Sequence, residues 1–219
     1  MIDLSDHHQT NARIRVGFYS LHGKRAFDLA FALALLPLLL PVIIIVAIAT
    51  RLDGGPAFFV HRRVGRGGEQ FGCLKIRTMR IDAEEYLQKY LFQNPDTAEA
   101  WQQNYKLKDD PRITKIGKFL RKTSLDELPQ IFNVIRGEMA FVGPRPVTAT
   151  ELELYGPAKV AYSAGRPGIT GTWQVSGRNA ISYEERILLD VKYRETETLL
   201  SDLKIIAKTP LKVIRPTGI

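Results

Sequence analysis

The chain has 219 residues, 45% hydrophobic and 25% charged, a balance that excludes intrinsic disorder and allows one good-sized domain with ample core. Its 31 basic and 23 acidic residues leave a net charge of +8, which suits an anionic partner: nucleic acid, an anionic membrane surface or a phosphorylated small molecule. A single cysteine, Cys73, excludes an internal disulfide and fits a reducing, cytosolic setting, and His7, His8, His22 and His61 have no zinc spacing.

Residues 1–20 are polar and aperiodic, a flexible N-terminal arm. From Leu29 to Thr50 no charged residue occurs. As a straight helix this run reaches roughly 33 Å, enough for a hydrocarbon core and too long for the apolar region of a signal peptide. A single transmembrane anchor is the plain reading. Two features oppose it. Pro37 and Pro41 interrupt the run, each removing a backbone hydrogen bond. The flanks are basic on both sides, Arg13, Arg15, Lys24 and Arg25 before and Arg51, Arg62, Arg63 and Arg66 after, so both ends claim the cytoplasm. A proline-broken helix over about 24–51 that enters one leaflet and returns satisfies both claims. Asp28, at the membrane boundary, needs a partner, which Lys24 or Arg25 one turn back supplies.

Asp53-Gly54-Gly55-Pro56 is a turn, and AFFVHRRVG, a glycine turn and QFGCLKIRTM then read as a β-hairpin. Period two sets Lys75 and Arg77 on one strand face, which as a plain reading is merely solvated. No phosphate-loop pattern occurs. Residues 82–108 form a helical pair broken at Asn94-Pro95 and carry no assigned chemistry. Asp110-Pro111-Arg112 restarts the chain, and ITKIGKFLRK is a short basic helix.

Next comes TSLDELPQ. Ser124 and Glu127 have capping-box spacing, so a helix cap is the plain reading. Asp126 is a carboxylate beyond what the box requires, and Lys118, Arg121 and Lys122 surround it with positive charge. An aspartate is ionised at neutral pH and needs no base to attack phosphorus. The second carboxylate, Glu127, can hold a magnesium ion that offsets the charge of a pyrophosphate, while Arg121 and Arg145 clamp phosphate oxygens. The two readings are compatible.

Gly143-Pro144-Arg145-Pro146 is a rigid turn, and Arg166 to Asn179 is a glycine-rich loop whose backbone amides suit a nucleotide as well as they suit a surface turn. SYEERILLDVKYRE is helical. The tail LLSDLKIIAKTPLKVI is an interfacial helix with Lys204, Lys208 and Lys212 on one face.

From Lys24 to the C-terminus the chain resembles the bacterial sugar transferase family, the small monotopic phosphoglycosyl transferases. The resemblance rests on K-R-x-x-D (Lys24, Arg25, Asp28), the proline-broken apolar helix, R-x-G-x-x-G (Arg63, Gly65, Gly68) and K-[FI]-R-T-M from Lys75 to Met79. It continues through S-L-D-E-L-P-Q, N-V-I-R-G-E-M, F-V-G-P-R-P, R-P-G-I-T-G and G-R-N. It implies an α+β, mostly helical fold: one domain over 21–219 with a re-entrant helix, a small β-hairpin and C-terminal interfacial helices. It implies transfer of a sugar 1-phosphate from a UDP-sugar to undecaprenyl phosphate with release of UMP, on the cytoplasmic face of a bacterial inner membrane, as the first membrane step of exopolysaccharide synthesis. In similar enzymes the residue matching Asp126 is the nucleophile of a ping-pong cycle, and the residue matching Glu127 assists with Mg2+. The substrate-binding set carried over is Lys75, Arg77, Arg121, Arg145, Gln174, Arg178 and Asn179, and the membrane set is Lys24, Arg25, Asp28 and Pro41. Implied partners are membrane lipid and downstream glycosyltransferases.

Three positions depart from the family pattern: Leu40 precedes the second proline where Ser is frequent, Pro37 is an added break, and His61 stands where Gln is common. The H-R-R and C-L-K details resemble galactose-transferring members, with UDP-glucose as the alternative donor. A nucleic-acid binder is disfavoured because no nucleic-acid module is present, and a non-catalytic scaffold because both carboxylates and both arginines are intact.

Overall fold

A computed structural model describes residues 17–104, 107, 109–177 and 181–214, without side chains at 99, 100, 102–104 and 212–214. The molecule is mostly helical, and the long apolar run forms helix α1 (Lys24–Arg51). The expected break at Pro37 and Pro41 is corrected: the backbone stays helical through both. Both prolines are exposed. Lying four residues apart, they share one outward face, where a lost hydrogen bond disturbs no packing.

Docking of α1 follows its periodicity. The buried positions are Lys24, Asp28, Ala32, Ile43, Val46 and Thr50. Steps of three, four and eleven residues all return to one face of a 3.6-residue helix. One stripe of α1 is therefore packed from its first turn to its last, while Leu33, Leu38, Ile44, Ile45 and Ile48 stay exposed.

Strands β1 (Phe58–Val64) and β2 (Gln70–Ile76) make the expected antiparallel hairpin, turned at Gly67 and Gly68 with φ of 73° and 81°. Register sets Phe59 opposite Lys75 and His61 opposite Cys73. The expected helical pair is α2 (Ala83–Gln93) and α3 (Pro95–Asn104). The basic segment is α4 (Lys115–Thr123), whose first turn is capped by Thr114 Oγ1 accepting from the Gly117 N–H at 2.9 Å. After it come α5 (Gln130–Arg136), β3 (Ala140–Val142), α6 (Ala149–Glu153), α7 (Lys159–Ser163), β4 (Gly168–Thr170) and α8 (Thr172–Ser176). The chain closes with α9 (Tyr183–Thr196) and α10 (Leu199–Ile214). Strands β3 and β4 pair in parallel, a second sheet that the sequence reading did not anticipate. Each is only three residues long, too short for a periodic signal.

The main core joins Ala32 and Ile43 of α1 to Phe71 and Cys73 of β2, Ile131 and Val134 of α5, Phe141 and Val142 of β3, Tyr193 of α9 and Ile205 of α10. Polar groups fasten the start of α1 to it. Lys24 Nζ is 2.5 Å from Asp202 Oδ2 and donates to the Tyr193 hydroxyl at 2.9 Å. Tyr19 and Tyr193 donate their hydroxyls to Asp202 at 2.8 and 2.7 Å. Tyr19, placed in the N-terminal arm by the sequence, is thus anchored, while residues 1–16 of that arm lie outside the described residues. Arg25 donates to the carbonyls of Val134 and Ile135, satisfying the C-terminal turn of α5. The expected partner of Asp28 is found in part: the Lys24 charge offsets some of its burial, while Arg25 is engaged at α5 and Asp28 Oδ1 accepts the Phe141 N–H at 3.0 Å.

On α10, Lys204 and Lys208 are exposed beside Leu200, Leu203 and Leu211, as an interfacial helix requires, while the side chain of Lys212 lies outside the described residues.

Candidate active site

The segment TSLDELPQ is not a capped helix start. Ser124 takes left-handed geometry, φ 57°, and ends α4, its N–H donating to the Leu120 and Arg121 carbonyls. Leu125–Glu127 make one 3-10 turn, and Pro129 is the N-cap residue just before α5. The Ser124 hydroxyl caps nothing, so the capping-box reading is corrected. Leu125 packs with Val46 and Leu120, while Leu128 packs on the main core. Those two leucines anchor the turn that carries Asp126 and Glu127. Gly117 brings α4 close enough: a Cβ there would lie 2.0 Å from the Thr78 carbonyl oxygen, so glycine is required for the approach.

Both carboxylates line a cavity of about 1260 Å³ together with Lys75, Arg121, Arg145 and Gln174. Lys75 Nζ is 2.6 Å from Glu127 Oε1. Burial acts to raise the Glu127 pKa, but Lys75, Arg145 and Arg63 outweigh it and hold the carboxyl below its ordinary value. No side chain among the described residues bonds Asp126. Burial, then the Glu127 charge, push its pKa up to about 6, against the pull of Lys75 and Arg121. The pair is thus divided: Glu127 is tied to a lysine, and Asp126 is buried, unpartnered and still mostly ionised at neutral pH.

Arg121 donates Nε to Thr78 Oγ1 at 2.9 Å, which leaves its terminal nitrogens for the cavity. Arg145 lies 5.9 Å from the Trp173 ring centroid, and Arg186 covers the same ring at 4.0 Å. Arg77 departs from the substrate-binding expectation. Its Nε donates to Pro56 O, Nη1 to Asp53 Oδ2 and Met79 O, and Nη2 to Thr50 O and Asp53 Oδ1. All five N–H donors are consumed by the protein, so none remains for a phosphate. Period two fails here because β2 ends at Ile76, and Arg77 turns toward the end of α1. Arg178 and Asn179 lie outside the described residues.

The sequence reading assigned no role to His61, Trp173 or Arg186. His61 lines the cavity and accepts on Nδ1 from Arg63 Nη2 at 3.2 Å, while Arg63 also pairs with Glu151 at 2.8 Å. Burial, then Arg63 and Lys75, hold the His61 pKa below its ordinary value, so the ring is neutral with its proton on Nε2. Nothing in the residue spacing pointed to Arg186, which reaches Trp173 across the α8–α9 contact.

No group of three or more His, Cys, Asp or Glu converges among the described residues. An all-protein cage is therefore not what this site offers. Two adjacent carboxylates facing a cationic cavity do fit Mg2+ in its usual enzymic form, which takes one or two carboxylates and completes its shell with water and substrate phosphates.

The sequence model described as bacterial sugar transferase matches residues 19–216. Exopolysaccharide production protein ExoY of Rhizobium meliloti (strain 1021) is 50% identical over 187 residues, which is 85% of this chain and 83% of that protein. The undecaprenyl-phosphate galactose phosphotransferase of Salmonella typhimurium is 45% identical over 195 residues, 89% of this chain and 41% of the longer relative. The UDP-glucose:undecaprenyl-phosphate glucose-1-phosphate transferase of Caulobacter vibrioides is 37% identical over 195 residues, 85% of this chain and 67% of that protein.

Proposed function

From the premise that the chain belongs to the bacterial sugar transferase family, we propose that it moves a sugar 1-phosphate from a UDP-sugar to undecaprenyl phosphate through a covalent intermediate on Asp126. The observation that carries this reading is the unpartnered Asp126 carboxylate inside a cavity walled by Lys75, Arg121 and Arg145. Asp126 attacks the phosphorus bearing the sugar. A P–Oδ bond forms, the bond from that phosphorus to the bridging oxygen breaks, and UMP leaves with the electron pair. No proton has to be taken from the nucleophile, because most of it is ionised at neutral pH. The three cations offset the repulsion between carboxylate and diphosphate. Magnesium, held through Glu127 and Asp126 with the diphosphate, would add charge neutralisation and Lewis acidity. A phosphate oxygen of the acceptor then displaces Asp126 and restores the carboxylate.

Galactose 1-phosphate is the favoured cargo. The galactose transferase named above is 45% identical and the glucose transferase 37% identical, and both are named for undecaprenyl phosphate. The same reaction with UDP-glucose is the second reading.

The protein is proposed to be monotopic on the cytoplasmic face of the inner membrane. In support, one stripe of α1 is packed on a single body along its whole length. Its exposed apolar face then enters one leaflet without carrying either end across. A reporter fused to the N-terminus should read as cytoplasmic, and a periplasmic signal would favour a full span.

The first test is intact mass after incubation with Mg2+ and UDP-galactose without lipid. A hexose-phosphate adduct is expected on the wild type and absent from Asp126→Asn. If neither UDP-galactose, UDP-glucose nor UDP-N-acetyl sugars labels the protein, even on rapid quenching, the covalent mechanism is wrong.

A further inference from the structure

The wall of the cavity changes character along its length. Near Asp126 it is cationic. Elsewhere it is made by Leu39 of α1, Phe58 and Phe59 of β1, and Ile81. Phe58, Phe59 and Ile81 are 46, 50 and 64% exposed, so they form a lip rather than a floor. Single exposed apolar residues are ordinary, but several on the rim of one charged cavity mark a binding surface.

This lip has neighbours at both ends. Phe59 stands directly across from Lys75, whose Nζ holds Glu127, so the apolar surface begins one cross-strand neighbour from the carboxylates. Ile81 lies over the turn that follows α1, where a Cβ on Gly55 would meet Ile81 Cγ1 at 2.7 Å. That turn leads back to the exposed Ile44, Ile45, Ile48 and Leu52. Exposed apolar side chains thus stand both on the outer face of α1 and on the rim of the cationic cavity, with the polar turn at Asp53 between them. A ligand satisfying both ends has an anionic head and a hydrocarbon tail.

We propose that Phe59 and Ile81, on the rim of the cavity that Leu39 also lines, receive the hydrocarbon chain of the lipid phosphate acceptor and aim its phosphate at Asp126. The proposal rests on the reaction given above and concerns its second half alone. There an acceptor phosphate oxygen bonds to the phosphorus of the loaded sugar phosphate, the P–Oδ bond breaks, and Asp126 recovers its negative charge with no external base or oxidant. A UDP-sugar donor has no hydrocarbon to lay on the lip.

The two half-reactions are read separately by intact mass in detergent: loading from the UDP-sugar, then discharge on adding undecaprenyl phosphate. Phe59→Gln/Ile81→Gln is expected to load at the wild-type rate and discharge at least about tenfold more slowly, with a raised acceptor KM. Butyl phosphate, which lacks the chain, should be used equally poorly by both proteins. Phe92→Gln, at an 89% exposed site on α2, should change neither step. Discharge within about twofold of wild type overturns the proposal. So does a variant that cannot load while the wild type loads, since the lip would then belong to the donor. If the wild type itself never loads, the reaction is at fault, and equilibrium binding of undecaprenyl phosphate decides the lip: unchanged affinity in the double variant overturns it.

Discussion

Asp126 shows what a buried carboxylate costs the fold. A buried carboxyl whose pKa rises to about 6 folds more readily protonated than ionised. The folded state then binds more protons than the unfolded chain between about pH 4 and 6, so this residue's contribution to stability falls as pH rises through that window and is flat above it. Asp126→Asn removes the cost. It should unfold at higher denaturant at pH 7.5 than the wild type, by at most about 3 kcal/mol, and the gain should shrink as pH falls toward 4. Loading requires the ionised form and should decline below about pH 6. An Asn variant whose advantage over the wild type is no larger at pH 7.5 than at pH 4 would show the carboxyl is not desolvated as described. Arg77 makes the complementary case. With five donors spent on the protein, Arg77→Ala should lower stability by roughly 3 kcal/mol, measured by denaturant unfolding. Arg77→Lys should recover little, because an ammonium cannot reproduce the planar fork.

At the scale of elements, the site depends on α4 meeting the end of β2. Gly117→Ala would press a methyl against the Thr78 carbonyl, a backbone group with nowhere to move. Loss of about 2 kcal/mol or more is expected in thermal unfolding, with loading impaired, because Arg121 and the turn bearing Asp126 shift with the helix. A fully active, fully stable variant would mean that α4 sits further from the strand than its geometry states. The short helix α5 is held differently: Arg25 and Arg166 donate to its last carbonyls at Val134, Ile135 and Gly137, so side chains from distant segments complete its C-terminus.

Across the whole molecule, the knot of Lys24, Tyr19, Tyr193 and Asp202 joins the two ends of the described chain through side chains. Asp202 is fully buried, and Lys24 is the one cation that pairs with it among the described residues, so removing Lys24 strands a charge. Lys24→Met should destabilise by roughly 3–5 kcal/mol, and Lys24→Met/Asp202→Leu should be more stable than that single variant. Additive losses in the double variant would mean that the two groups do not act as a pair. Because α1 and α10 meet in this knot, the long apolar helix and the C-terminal helix are held together.

The β-hairpin, the helical pair and the long apolar helix were readable in local pattern, because period two, glycine turns and an uncharged run are properties of neighbouring residues. So were Asp126 and Glu127, since two carboxylates beside a basic helix stand out in sequence, and the ordered motifs identified the family. What tertiary structure decided is how each charge is spent. Arg77 was read as a substrate ligand and Ser124 as a cap, but Arg77 meets the turn after α1, and Ser124 ends one helix instead of starting another. Asp28 finds its partner at Phe141, and Trp173 meets Arg186, across separations that no local spacing encodes. The parallel β3–β4 pair was hidden because its three-residue strands carry no period. Local pattern determines which segments form because it acts between near neighbours. The partner of a buried charge is set by desolvation and distance, which exist only once the chain has packed.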